Sequence, residues 1–259
     1  MKLLFVGDVV GRAGRNILSE RLGSLIDRYA VDFVVVNGEN AAGGFGLTDD
    51  VVRDLRKLGV HVITSGNHIW DKKEFYPSLD RFDDVLRPGN YPQGAPGRGC
   101  GAYETSAGIR VGVMNLQGRV FMGELDCPFR VADALLEQLR PAVDVIFVDF
   151  HAEATSEKMA LGHYLDGRVA AVIGTHTHVP TADEHILSGG TAYQSDAGMT
   201  GSRDSVIGVR KEIAVEKFLT QLPARFEVAK KDPILCATLI DIDESNGKAR
   251  TIERILCKG

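Results

Sequence analysis

Seven side chains, Asp8, Glu39, Asn40, Asn67, His151, His176 and His178, follow short apolar runs and together offer carboxylate, amide and imidazole donors. Oxygen and nitrogen donors mixed in this way suit manganese, iron or zinc better than calcium or a thiolate-bound metal. Seven donors exceed what one tetrahedral ion uses, so two ions are the economical reading. Ions ~3.5–4 Å apart are bridged by a carboxylate, for which Glu39 is the candidate, and a water between them becomes a hydroxide able to attack phosphorus in line. The residual positive charge of such a centre attracts a phosphate ester even to an acidic protein. His68 follows Asn67 directly. Imidazoles exchange protons near neutral pH, so this one is assigned as general acid for the departing oxygen, with metal ligation or the positioning of a phosphate oxygen as alternatives.

Taken singly these residues are ordinary. An Asp or Glu after a strand commonly caps a helix or faces water, and a His-x-His pair is often a turn or polar core feature. The metal reading rests on their joint placement at neighbouring strand ends. His61, inside an apolar run, and His163 and His185, without nameable partners, are read as structural. Gly11-Arg12-Ala13-Gly14-Arg15 lacks a fuller P-loop pattern and is read as the turn into a helix. Gly43-Gly44-Phe45-Gly46 is either a mobile rim of the site or a plain connection.

The elements that must position these groups follow from periodicity. Continuous apolar runs at Leu3–Val6, Phe33–Val36, Val60–Thr64, Val111–Met114, Val145–Val148 and Ala170–Ile173 suit strands buried on both faces. Helical spacing lies between them, at Ile17, Leu18, Leu22, Leu25, Ile26 and Tyr29 and again at Val51, Val52, Leu55 and Leu58. The alternation predicts an α/β fold. Thr181–Tyr193 and Phe226–Ile255 read as antiparallel strands, with Asn246-Gly247 turning a hairpin, so a second sheet packed on the first is expected. Ligands of open α/β sheets sit beyond the carboxyl ends of the strands, and those ends are where the donors fall.

The 259 residues carry a formal net charge of -5 and a pI near 5.8. Clamping nucleic acid through its phosphates needs clustered Lys and Arg, so no strong nucleic-acid surface is expected. Four widely separated cysteines show no CxxC pair and fit a reducing cytoplasm. No apolar run is long enough for a signal peptide or a membrane span. Without a linker or low-complexity stretch, residues 1–259 are read as a single domain, for which a homo-oligomer is compatible.

Gly66-Asn67-His68 and Thr175-His176-Thr177-His178 resemble motifs of the calcineurin-like metallophosphoesterase superfamily. Gly7-Asp8-Val9-Val10-Gly11, Asn37-Gly38-Glu39-Asn40, the stretch from Asp149 to Lys158, and Asp196-Ala197-Gly198-Met199-Thr200-Gly201 resemble its bacterial YmdB-type branch. The resemblance implies a four-layer αββα sandwich, two mixed sheets flanked by helices, with a di-iron or di-manganese centre. It implies phosphodiesterase activity on small phosphodiesters such as 2′,3′-cyclic nucleotides. Within the fold, a phosphomonoesterase or a low-turnover metal-bound regulator linked to RNA metabolism is the alternative. It further implies Asp8, Glu39, Asn40 and His178 around one metal, Glu39, Asn67, His151 and His176 around the other, and His68 as proton donor. Asp196, Thr200 and Arg203 become candidates for substrate contact or for support behind the ligands. The superfamily has Asp-x-His at its first motif and an aspartate bridge, whereas this chain has Asp8-Val9-Val10 and Glu39, so Asn40 must stand in for the missing histidine.

Overall fold

Strand β1 (Lys2–Val6) sends Leu3 and Phe5 to one face and Leu4 and Val6 to the other, and all four side chains are fully buried. A strand buried on both faces must lie in the interior of a layered structure. The computed structural model describes residues Met1–Gly259. After β1 come α1 (Gly11–Tyr29), β2 (Phe33–Asn37), α2 (Asp49–Lys57), β3 (Val62–Thr64), the short α3 (Tyr76–Leu79), β4 (Cys100–Glu104), β5 (Arg110–Gln117) and α4 (Pro128–Leu139). The chain continues through β6 (Val145–His151), α5 (Thr155–Leu165), β7 (Ala171–Thr175), β8 (His185–Ile186), β9 (Ala192–Gln194), β10 (Gly201–Ser202), α6 (Lys211–Thr220), β11 (Pro233–Asp243) and β12 (Lys248–Lys258).

One sheet has the order β10-β11-β1-β2-β3, with β12 also on β11, and the other has the order β4-β5-β6-β7-β9-β8. Strands β1, β2 and β3 are parallel, as are β5, β6, β7 and β9, so their carboxyl ends share an edge in each sheet. Between the sheets lies a core containing Phe5, Phe33, Val113, Phe147, Ile173 and Ile240, in which the Phe5 and Phe147 rings meet at 4.9 Å. A second core joins the outer face of the first sheet to α1 and α2 through Leu4, Val6, Ile17, Leu22 and Leu55. A third joins the outer face of the other sheet to α4 and α5 through Leu116, Leu136, Val148 and Leu161. Three cores separate four layers, αββα.

Several expected boundaries move. β3 begins two residues after Val60, because Gly59 in the left-handed region (φ +91°) and the Val60 N–H bond to Leu55 carbonyl still close the end of α2. The Thr181–Tyr193 segment is only partly antiparallel: β8 pairs with β9 antiparallel, but β9 runs parallel to β7. Regular strand starts at Pro233, not at Phe226. The β11–β12 hairpin turns through Asn246-Gly247, with Gly247 at φ +69°. Gly11, at φ +57°, opens α1. No helix is long and apolar enough to cross a membrane.

Replacing Phe147, which is fully buried between the sheets, with Ala is expected to cost ~3–5 kcal/mol of unfolding free energy in urea titration. A loss below about 1 kcal/mol would show that the inter-sheet core does not hold the layers together.

Candidate metal centre

Both sheets supply the cluster. From the first come Asp8 after β1, Glu39 and Asn40 after β2, and Asn67 and His68 on a 3-10 turn after β3. From the second come His151 at the end of β6, and His176 and His178 just beyond β7. The approach is close enough to demand glycine behind it: a Cβ on Gly66 would lie 1.9 Å from Glu39 Oε2 and 2.2 Å from His151 Nε2. His151 Nε2 is the meeting point, 3.0 Å from Glu39 Oε2, 3.0 Å from His176 Nδ1 and 3.2 Å from Asn67 Oδ1. Asn40 Oδ1 and His178 Nε2 face each other at 3.2 Å.

The outer nitrogens of His151 and His178 are tied back by hydrogen bonds, and that of His176 faces a carboxylate. Thr175 Oγ1 donates to Asp149 Oδ1 (2.7 Å) and so accepts from His151 Nδ1 (2.9 Å). His178 Nδ1 donates to the Ile207 carbonyl (2.8 Å), and His176 Nε2 lies 3.2 Å from Glu153 Oε2. Each tie leaves the inner nitrogen with a lone pair, the arrangement that orients metal-ligating histidines. Asn40 Nδ2 donates to the Gly44 carbonyl (3.0 Å), which turns its oxygen toward His178. Once the carboxyls are ionised, the inner atoms of the cluster are therefore acceptors confronting acceptors at hydrogen-bond distance. Asp8 Oδ1 is buried with no hydrogen-bond partner, while Asp8 Oδ2 accepts from the His176 N–H (3.2 Å). Orphaned acceptors buried at this density fit a divalent cation.

The charges agree. Burial pushes the Asp8 and Glu39 carboxyls up to about 7; His151 opposes this at Asp8, and His68 and His178 oppose it at Glu39. Burial likewise holds His151 down to about 4 and His176 down to about 3, so both imidazoles are neutral at pH 7. A metal binds neutral imidazoles and ionised carboxylates, so the two histidines are ready for it, whereas the raised carboxyls give up their protons as it binds.

His176 and His178 both have left-handed backbones, φ +98° and +66°, a conformation that costs side-chain-bearing residues roughly 1–3 kcal/mol each. The intervening Thr177 is clasped by Asp196 Oδ2, which accepts from Thr177 N (3.0 Å), Thr177 Oγ1 (2.8 Å) and the buried Lys158 ammonium (2.8 Å). Asp196 thus stands behind the candidate ligands His176 and His178. Thr200 is buried and donates its N–H to the Asp8 carbonyl (2.8 Å), and Arg203 is paired at the surface with Asp232 (2.7 Å). None of these three is on the wall of the cavity beside the cluster; Asp196 and Thr200 brace the residues around the donors, and Arg203 makes a surface ion pair. His61 accepts from the Val34 N–H (3.0 Å), away from the cluster.

Sequence reasoning missed Asp149, Thr175, Asn37, Asp71, Glu153 and Lys158 as parts of the site. Asp149 is fully buried and accepts from Thr64, Thr175 and Asn37; burial raises its carboxyl to about 8, and the three donors pull the other way. The available signal was the strand period of two, which puts Asp149 on the same face as His151. Asp71 Oδ2 lies 2.8 Å from His68 Nδ1, three residues on in sequence. The cluster opens on a cavity of about 650 Å³, whose wall includes Glu39, Asn40, His68, His176 and His178 together with Gly44 and Phe45 of the glycine-rich segment.

Because the Asp8 and Glu39 carboxyls titrate at about 7, manganese binding at pH 6 is expected to release close to two protons and at pH 8.5 almost none, with apparent affinity falling on acidification. Calorimetry in buffers of different ionisation enthalpy measures this, and proton release independent of pH would contradict it. Thr175→Val, which unties His151, is expected to weaken manganese binding roughly 10–100-fold without removing a ligand.

The structure superposes on a protein of Thermus thermophilus described as hypothetical, with a TM-score of 0.93 and 44% identity, covering 100% of this chain and 99% of that one. A Mycoplasma pneumoniae structure described as a novel phosphatase gives a TM-score of 0.93 at 36% identity, over 100% and 93% of the two chains. Among curated proteins, the 2′,3′-cyclic-nucleotide 2′-phosphodiesterase of Bacillus subtilis strain 168 is 49% identical over 256 residues, 99% of this chain and 97% of its own length. The family model described as YmdB-like protein matches residues 4–255. With that span and identity, and with the motif residues gathered on one edge of a four-layer sandwich, the chain belongs to the YmdB-like protein family.

Proposed function

We propose that the protein is a metal-dependent phosphodiesterase that hydrolyses 2′,3′-cyclic nucleotides, with two ions of iron or manganese as cofactors. The observation that carries this reading is the convergence of acceptors on His151 Nε2 beside a nucleotide-sized cavity, with His68 on the cavity wall and outside the converging set. The printed activity of the Bacillus subtilis relative points the same way. Asp8, Glu39, Asn40 and His178 are proposed to hold one ion, and Glu39, Asn67, His151 and His176 the other. Such ions supply Lewis-acid polarisation of phosphoryl oxygens and activation of water at neutral pH. Val10, at the place of the superfamily histidine, lines the cavity with an apolar side chain, which leaves the first ion a more oxygen-rich set of donors than the second.

His68 is the proposed general acid. With Nδ1 on Asp71 (2.8 Å), its imidazole is oriented, and the carboxylate stabilises the protonated ring. Hydrolysis of the cyclic ester forms one P–O bond from water and breaks one to a ribose oxygen, which takes the proton from His68 and leaves a nucleoside monophosphate. A cytoplasmic setting is supported by four unpaired cysteines.

The test is metal analysis followed by hydrolysis of a panel of phosphodiesters and phosphomonoesters. Two metals per chain with cleavage of 2′,3′-cyclic nucleotides is expected; turnover of monoesters alone would replace the reading with a phosphomonoesterase, and turnover surviving complete chelation would remove the metal mechanism. His68→Ala is expected to keep both metals and lose ~10²–10⁴-fold in kcat. A loss of only a few-fold would sink the acid role, and loss of a metal would make His68 a ligand.

A further inference from the structure

The donor cluster occupies only one side of the cavity. At about 650 Å³ the space matches a ligand of nucleotide size and far exceeds a phosphoryl group. Much of the remaining wall is apolar, with Val10, Phe45, Ile207, Val209, Phe226 and Val228, and the Glu227 carboxylate lies at its edge, paired with Arg210. Phe45 and Phe226 each keep 38% of their surface exposed, so two aromatic rings face the cavity without full cover from the protein.

The aromatic wall is built into the fold. Gly44 adopts φ +104°, and a Cβ there would meet Val228 Cγ2 at 2.5 Å, so the segment carrying Phe45 packs directly on the segment carrying Phe226. The latter is tied to the loop before α6 by the Arg210 N–H to Glu227 carbonyl and Ala229 N–H to Gly208 carbonyl bonds, both 2.9 Å. Lys217 Nζ sits 4.5 Å from the Phe226 ring centroid, a cation–π contact that holds the ring. On the other side, the Phe45 ring meets His68 edge to face at 5.0 Å, so the aromatic surface begins beside the proposed proton donor.

Substrate geometry makes use of that adjacency. In a 2′,3′-cyclic nucleotide the base is borne by C1′, the carbon next to the one carrying the 2′ ester oxygen. With the phosphate at the metal side and a ribose oxygen at His68, the base reaches only the neighbouring wall. We propose that this apolar half of the cavity is a nucleobase subsite in which Phe226 and Phe45 are the stacking surfaces, so that the enzyme selects cyclic phosphodiesters that carry a base. The proposal rests on the phosphodiesterase reading above. Stacking on aromatic rings tolerates any base and is strong enough to govern apparent affinity.

The test compares the metal-loaded full chain on 2′,3′-cyclic AMP and on methyl riboside 2,3-cyclic phosphate, which has the same reacting ester and no base. The wild type is expected to favour the nucleotide in kcat/KM by roughly 5- to 100-fold, mainly through KM. Phe226→Ala should collapse that ratio toward one and Phe226→Trp should restore it. Equal kcat/KM values in the wild type, or a ratio unchanged by Phe226→Ala, would overturn the subsite. Adenosine 3′-monophosphate binding, measured against ribose 3-phosphate by calorimetry, separates the two claims. Cleavage of neither ester would overturn the phosphodiesterase reading, and the subsite then stands if the nucleotide binds at least about tenfold tighter with that margin lost in Phe226→Ala, and falls if both ligands bind alike.

Discussion

Three acceptor atoms brought within 3.2 Å of a fourth, His151 Nε2, set the terms for everything around them once Glu39 is ionised. Lone pairs so placed repel, and their burial removes the water that would otherwise satisfy them. The chain answers on both sides of the cluster. Outside it, Thr175 and Ile207 hold the far nitrogens of His151 and His178 by hydrogen bonds, Glu153 faces that of His176, and Asp71 orients the neighbouring His68. Inside it, burial raises the Asp8 and Glu39 carboxyls to about 7, which makes a cation the natural partner of the site near neutral pH.

This arrangement depends on how the two sheets pack. Asp8, Glu39, Asn40 and Asn67 belong to one sheet, and His151, His176 and His178 to the other. The Phe5–Phe147 contact sets their spacing from the core, and a polar seam sets it at the edge, where Asn37 of β2 donates to Asp149 of β6 (2.8 Å) and accepts from the Glu39 N–H (3.0 Å). Thus one asparagine connects the backbone of the Glu39 donor in the first sheet to the carboxylate that supports a histidine in the second. The left-handed backbones of His176 and His178 are tolerated because Asp196, itself held by the buried Lys158 ammonium, grips the residue between them. A buried ion pair is a costly way to stabilise a fold, and its place here, behind a strained ligand loop, fits a role in setting loop geometry.

In an acidic chain, the proposed metal centre would make the site, and not the whole surface, the place where anions are selected. The cavity adds a second kind of selection, since its wall passes from charged donors to aromatic rings across the width of His68. Polar groups that fix orientation beside apolar groups that supply area are the usual division of labour in a small-molecule site.

The donor residues were legible in the sequence because parallel strands buried on both faces announce themselves as continuous apolar runs, and the residues that follow such runs fall at one edge. The α/β alternation and a second packed sheet were legible through the apolar runs and helical spacing, whereas the four-layer order came from the resemblance of the motifs to a known family. Strand order was not, and neither was the parallel run of β9 beside β7, because short segments such as Ala192–Gln194 carry no signal of which neighbour they join. The sequence by itself thus determined which side chains could serve as ligands and which edge they occupy, a matter of local period. Only the tertiary structure decided which nitrogen of each histidine faces inward, that Asp196 works from behind the ligands, and that Phe45 and Phe226 share a cavity, because hydrogen-bond partners and contacts between distant segments exist only once the two sheets have closed on each other.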